Sequence, residues 1–323
     1  MYALIVTRFG GPEVLQWQEV PTPVPGAGEV RLTVTAAGVN HADVNQREGH
    51  YPPPPGASDI LGLECSGVVN AAADDVTWPR VGDTVVALLA GGGYAEQVVV
   101  PAGQCLPLPD GIDVVDGATL MEATATAVSN LDLVHLTPGE TVLMHGGAGG
   151  IGSFVIQYGK ALGCRVIVTA GRADKLEYCR SLGADAAIDY HGDWWEGVAA
   201  ATDGKGVDVI IDVIGGPYLE HNVELLARGG RLCVIGRQQG SRGTLDLGAL
   251  QARQATVTAT GLRGRPLAEK AAICAGIHER VWPMIASGAV KPSHITRFDI
   301  RHAVDAYALL DGGDNMGKIV LAI

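Results

Sequence analysis

Hydrophobic and polar positions change their spacing twice along this chain. In the first ~120 residues the apolar stretches are short and interrupted, as in globular β structure. Ala3–Val6, Val30–Ala36 and Thr84–Ala90 read as strands. The breakers between them are Gly10–Pro12, Pro21–Gly28 and Tyr51–Gly56. This pattern predicts a small irregular barrel or sandwich.

The middle of the chain alternates strand and helix. Thr141–His145 is a short apolar run, followed by the glycine cluster Gly146–Gly152. Ser153–Leu162 is apolar at helical spacing, with Gly163 placed to end it. Cys164–Ala170 is strand-like, and Ala173–Leu182 is amphipathic and stops at Gly183. Val207–Ile214 and Arg231–Ile235 are buried-type strands, and Thr256–Thr260 is the last of the series. Alternation of this kind predicts an α/β, doubly wound parallel sheet with helices on both faces. A helical stretch after residue 265 precedes an amphipathic helix, Ile300–Leu310, and an apolar strand, Lys318–Ile323. Pattern alone does not say which domain this tail completes.

Composition narrows the function. The 323 residues suit two domains. Glycine, at 45 residues, is far above its ordinary share of about 7%. With no collagen period, the excess belongs at turns, caps and close backbone approaches. A net charge of −12 argues against nucleic acid and against an anionic membrane surface as partners. No apolar run is long enough to span a bilayer, and the N-terminus lacks the features of a signal peptide. The six cysteines are scattered and none forms a C-x-x-C pair. That pattern predicts reduced, buried thiols in a cytoplasmic protein and no structural zinc cluster.

The sharpest motif is the glycine loop. Gly147, Gly149 and Gly152 form G-x-G-x-x-G, with Gly150 and Ile151 between the last two. The motif follows a strand and opens a helix, which is the context a dinucleotide fingerprint requires. Its glycines allow a tight turn, approach of a pyrophosphate to the backbone, and close packing of helix on sheet. The end of the second strand then selects the cofactor. An NAD site places an acid there to hold the ribose hydroxyls. Here Gly171 takes that place, with Arg172 and Lys175 immediately after it. Two cations without an acid suit the 2′-phosphate of NADPH. Asp174 is the opposing signal, pointing to NAD unless it merely starts a helix.

The stretch Ala37–Gly67, then VGDTVVALLAGGGYAEQVVVP, GGAGGIG and Met316–Leu321 resemble the medium-chain dehydrogenase/reductase superfamily. More narrowly they are similar to its zinc-free, zeta-crystallin-like quinone oxidoreductases, including the tumour-suppressor-induced group of animals. The likeness spans nearly the whole chain, and Gln46–Gly67 is its most specific part. It implies a Rossmann NADPH-binding domain, residues 123–265, inserted in a GroES-like β-rich catalytic domain, residues 1–122 plus 266–323. It further implies an active site in the interdomain cleft and a homodimer paired through strands near Thr256–Thr260. The catalytic-zinc positions of related alcohol dehydrogenases fall on Asn40 and Leu63, so no metal is expected.

A metal-free site can pass hydride to an acceptor that needs no Lewis acid. A quinone is one, because addition yields a stabilised phenolate. Asn40 and Tyr51 are the candidate catalytic groups. Asn40 stands where zinc would be held, and Tyr51 heads a stiff proline loop, placed to donate a hydrogen bond to that phenolate. The resemblance assigns Thr126 to the nicotinamide carboxamide and Tyr190 to the neighbourhood of the 2′-phosphate. It also assigns Ile214, Gly215, Gly236, Leu262, Arg263 and Asn315 to the cofactor's surroundings. Glu64 and Lys318 are expected to form a structural ion pair. Relatives carry serine at the position of Gly149, a hydroxyl this chain lacks. Two other readings stand beside an NADPH:quinone reductase. One is a reductase of enones or enoyl thioesters, served by Arg237, Arg242, Arg263 and Arg265 at a cleft mouth. The other is a non-catalytic NADPH-binding protein.

Overall fold

The computed structural model describes residues 1–323. In chain order the strands are β1 (Tyr2–Val6), β2 (Leu15–Glu19), β3 (Glu29–Val39), β4 (Glu64–Ala72) and β5 (Thr84–Leu88). They continue with β6 (Gln97–Pro101), β7 (Cys105–Pro107), β8 (Thr141–His145), β9 (Arg165–Ala170) and β10 (Ala186–Asp189). The last are β11 (Val207–Asp212), β12 (Leu226–Val234), β13 (Thr256–Ala259), β14 (Ile295–Asp299) and β15 (Lys318–Ala322). The chain divides into two units. One comprises Met1–Ala125, Leu262–Gly288 and Pro292–Ile323, and the other Thr126–Gly261 with Ala289–Lys291.

The first unit is built on a seven-stranded sheet in the order β14-β15-β3-β4-β5-β7, with β6 also paired to β3. Its centre is β3, whose pairing with β4 shifts register between Arg31 and Leu32 and again between Val34 and Ala36. Such irregularities bend a strand, and β3 pairs in succession with β6, β4 and β15. Val30, Leu32 and Val34 alternate into the core, where Tyr94 and Tyr307 meet edge to face. The C-terminal tail belongs here, because β15 runs antiparallel to β3 and parallel to β14.

The second unit is a six-stranded sheet in the order β10-β9-β8-β11-β12-β13, with every pair parallel. Counted from β8, that is the order 3-2-1-4-5-6 of a doubly wound nucleotide-binding sheet. The strand order reverses between β8 and β11, and ligands of such sheets lie beyond the carboxyl ends of the strands at that point. Burial explains why these runs are strands. Val166, Ile167 and Val168 in β9 and Val209, Ile210 and Ile211 in β11 are all fully inaccessible, as expected where both faces of a sheet are covered. The helix after β8 starts at Gly150, three residues before the apolar pattern suggested. Gly152 therefore lies inside its first turn.

Candidate functional site

At the switch point the glycine loop does different work at each glycine. A Cβ on Gly147 would fall 2.6 Å from Val168, and one on Gly152 would run into the carbonyl of Gly146 and the backbone of Gly147. These two allow the helix Gly150–Ala161 to seat against β9 and the loop. Gly149 differs, since its Cβ would find only the Gly146 oxygen at 3.6 Å. As N-cap it has φ −82°, which any residue adopts. The space above it is open, and the first N–H groups of the helix have no intrahelical acceptor. That combination fits a pyrophosphate.

Beyond β9, Gly171 makes room for Tyr190. The Tyr190 hydroxyl and ring lie where a side chain at position 171 would begin. Arg172, next along, caps the helix Ala173–Ser181 and holds Asp174 through two bonds, Nε to Oδ1 at 3.1 Å and Nη2 to Oδ2 at 2.9 Å. The pairing keeps the Asp174 carboxyl below its usual range. The acid that pointed to NAD is thus engaged by the cation that points to NADPH.

Beneath these loops runs a buried polar chain that the sequence did not reveal. His145, the last residue of β8, is wholly inaccessible and contacts Asn222 Oδ1 at 2.8 Å and Thr169 Oγ1 at 3.0 Å. With Oδ1 as acceptor, the neutral ring carries its proton on Nε2 and accepts from Thr169 at Nδ1. Burial pushes its pKa down to about 4. Asn222 in turn donates to Asp212, the last residue of β11. Asp212 accepts from the N–H groups of Ile214 at 2.6 Å and Gly215 at 3.2 Å, and burial pushes its carboxyl up to about 6. The chain therefore ties the turn after β11 to the strand that carries the glycine loop.

In the first unit, Tyr51 is half-buried and Arg263 lies over it, with its guanidinium carbon 5.3 Å from the ring centroid. Arg263 also donates to the carbonyls of Ala90 at 2.8 Å and Tyr51 at 3.3 Å. Three contacts from one rigid fork fix the start of the proline loop. Asn40 occupies a second cluster. Lys318 Nζ donates to Asn40 Oδ1 and to Glu64 Oε1, each at 2.6 Å, and Asn40 Nδ2 donates to Glu64 Oε1 at 3.0 Å. Glu64 Oε2 accepts from the backbone N–H of Glu122 at 2.9 Å. Asn40 is also held at its backbone by Asp43, itself buried and bonded to Gly62 and Tyr94.

The expected Glu64–Lys318 pair is therefore present, and it takes up the Asn40 amide. Asn40 acts as a bracket rather than as a free donor. Sequence reasoning missed Glu122, half-buried beside this cluster. Burial, and then the Glu64 charge, push its carboxyl up to about 8. Its sign was an acid at the start of a helix, Met121–Leu133, among small and apolar residues. The structure does not offer zinc its usual ligands here. Leu63 is apolar and buried, the Asn40 amide is engaged, and no group of three or more His, Cys, Asp or Glu side chains is arranged around a metal position.

The cofactor candidates separate by unit. Gly147, Gly149, Gly150, Ile151, Gly152, Gly171, Arg172, Lys175, Tyr190, Ile214, Gly215 and Gly236 all follow the carboxyl ends of strands in the parallel sheet. Thr126 opens the same unit. Leu262 and Arg263 correct the expected boundary, because they fall in the first unit, as does Asn315. Arg263 is committed to Tyr51 and Ala90.

Comparison with known proteins agrees with this geometry. Residues 26–110 match the alcohol dehydrogenase GroES-like domain family, and residues 150–273 match the family described as zinc-binding dehydrogenase. A quinone oxidoreductase of Pseudomonas aeruginosa is 32% identical over 317 residues, covering 97% of both chains. A phenolphthiocerol/phthiocerol polyketide synthase of Mycobacterium tuberculosis is 32% identical over 99% of this chain, which spans only 15% of that protein. Among solved structures, Escherichia coli quinone oxidoreductase complexed with NADPH superposes with a TM-score of 0.89 at 29% identity, over the full length of both chains.

Proposed function

Because the chain belongs to the zinc-free quinone oxidoreductases of the medium-chain dehydrogenase/reductase superfamily, we propose that it is an NADPH-dependent reductase of quinones or closely related electrophiles. The observation that carries the cofactor is Arg172 at the end of β9, engaging Asp174, where an NAD site would present a free acid. When bound, NADPH supplies the hydride, and the protein supplies position and polarity. Arg172 and Lys175 hold the 2′-phosphate. Gly149, Gly150 and Ile151 leave the backbone open to the pyrophosphate. Tyr51, steadied by Arg263, donates a hydrogen bond to the oxygen on which charge develops. Asn40, Glu64 and Lys318 form a rigid hydrogen-bonded wall at the position where the resemblance places the metal of zinc-dependent relatives. The Glu122 carboxyl, protonated near neutral pH, is the proton store beside that wall.

The polyketide synthase match favours a second reading, reduction of enones or enoyl thioesters on the same residues. A homodimer is also proposed. β13 is hydrogen-bonded on one side only, leaving an edge on which a second copy can pair; sedimentation equilibrium at the mass of two chains is the expected result. Turnover distinguishes the acceptors. NADPH oxidation with a para-quinone at least tenfold faster than with an enone or a crotonyl thioester is expected. The reverse order would move the protein to the second reading.

A further inference from the structure

We propose that His191 is a proton-linked specificity residue, whose ring tells the 2′-phosphate of NADPH from the 2′-hydroxyl of NADH by the proton it carries. The inference rests on the cofactor reading above, in which the 2′ position lies beside Gly171.

His191 stands two residues beyond β10, and its side chain is 62% accessible. β10 runs parallel to β9, which brings the turn after it next to Gly171. A Cβ at position 171 would lie 2.9 Å from His191 Cε1 and would also run into the Tyr190 hydroxyl. Cε1 is bonded to both ring nitrogens, so the imidazole edge borders the space that an acid fills in an NAD site. The Tyr190 and His191 rings lie 4.7 Å apart and share that border.

Asp189 decides where the ring keeps its proton. Its Oδ1 accepts from the His191 backbone N–H at 2.9 Å and from Nδ1 at 2.7 Å. These bonds, the backbone one first, hold the Asp189 carboxyl below its usual range. An ionised carboxylate only accepts, so Nδ1 carries the proton of the neutral ring. Nε2 is then a bare acceptor in the neutral ring and a donor in the imidazolium. The 2′-hydroxyl of NADH can donate to the neutral form. A 2′-phosphate presents acceptor oxygens, so it meets Nε2 favourably only when the ring has taken a proton from solvent. Proton and 2′-phosphate therefore bind together, and each raises the affinity for the other. Other charges on the neighbouring segments are Arg172, Asp174 and Lys175 after β9, with Arg172 already holding Asp174. Asp193 and Glu196 open the next helix, Trp194–Ala201. Arginine and lysine keep their charge through neutral pH, whereas imidazole is the side chain whose charge changes there. His191 thus makes the preference for NADPH grow as pH falls.

The test is calorimetric titration of the full-length protein with 2′,5′-ADP and with 5′-AMP, probes that lack the nicotinamide. Each titration is run near neutral pH in a pair of buffers of different ionisation enthalpy, which reads out proton uptake. His191→Gln keeps an amide donor that does not titrate, and the exposed position leaves the fold intact. With 2′,5′-ADP the parent is expected to take up more protons than this variant. Its affinity for 2′,5′-ADP should fall about threefold or more as pH rises through the range in which imidazole loses its charge, while the variant shows no such fall. Binding of 5′-AMP should be the same in both proteins. The second ionisation of the phosphate, at about pH 6, is common to parent and variant and cancels between them. Equal proton uptake by the two proteins would overturn the assignment, as would equal weakening of both nucleotides by the substitution. If 2′,5′-ADP binds no tighter than 5′-AMP at any pH, the NADPH reading fails with it. Tighter binding without the extra proton removes His191 alone.

Discussion

Arg263 lies over the ring of Tyr51 and donates to the carbonyl oxygen of the same residue. One side chain thereby fixes both the ring and the backbone of the proposed hydrogen-bond donor. Tyr51→Phe keeps the ring and removes only the hydroxyl. It should lower kcat for a quinone about ten- to a hundredfold and change KM little, the pattern for an interaction made in the transition state. Steady-state kinetics at saturating NADPH measure this. A fall in kcat/KM through KM alone would make Tyr51 a packing residue.

Arg172 makes a separate claim about cofactor choice. Arg172→Ala removes the guanidinium and releases Asp174. The variant should bind NADPH about tenfold or more weakly, on the scale of a charge-assisted contact to phosphate, with NADH affinity unchanged or improved. Quenching of protein fluorescence by each nucleotide reports it directly. Equal losses for both nucleotides would place Arg172 outside phosphate recognition.

The glycine loop predicts opposite outcomes three residues apart. Gly149→Ser has room for its Cβ and needs no unusual backbone, so the melting temperature should stay within a few degrees. It also restores the hydroxyl of the relatives, and a rise in kcat is expected. Gly152→Ala meets the Gly146 and Gly147 backbone; overpacking of this kind typically costs about 1–3 kcal/mol, with weakened NADPH binding. Thermal melts with and without NADPH separate the two variants. A Gly152→Ala protein as stable as the parent would contradict the close packing described.

Glu122 sets a pH dependence. Its carboxyl is raised from the ordinary 4.5 to about 8. The folded state thus retains a proton that the unfolded chain releases, so the group stabilises the fold below pH ~4.5, and that stability is lost as pH rises to about 8. Glu64, Lys318, Asp43 and Arg263 all act on it electrostatically. Glu122→Gln keeps a neutral side chain at every pH. Urea unfolding across this window should show the variant gaining on the parent as pH rises. Parallel curves would mean that Glu122 ionises normally.

The elements with a clear period were legible from sequence alone. β8, the glycine loop and the helix after it follow from an apolar run, a motif and helical spacing, and each is found within a few residues of its expected place. Pattern alone did not assign the tail after residue 290, which only the resemblance placed with the first domain, because its membership depends on β15 pairing with β3, a contact 280 residues apart in the chain at Ile319–Val39. The site divided in the same way. The cofactor loops could be read because their chemistry is local to strand ends. The engagement of Asn40 by Lys318 and Glu64, and the chain from Thr169 through His145 and Asn222 to Asp212, join distant segments. No spacing in a single sequence carries that information. Arg263 was placed with the cofactor on resemblance; its bonds to the carbonyls of Ala90 and Tyr51 join segments far from it in the chain and were not legible in the sequence.

The most direct test is oxidation of NADPH and NADH, side by side, by a para-quinone in the presence of a chelator. Rapid turnover with NADPH, at least tenfold slower turnover with NADH at equal concentration, and no effect of the chelator are expected. A preference for NADH, or loss of activity on chelation, would contradict the proposed function.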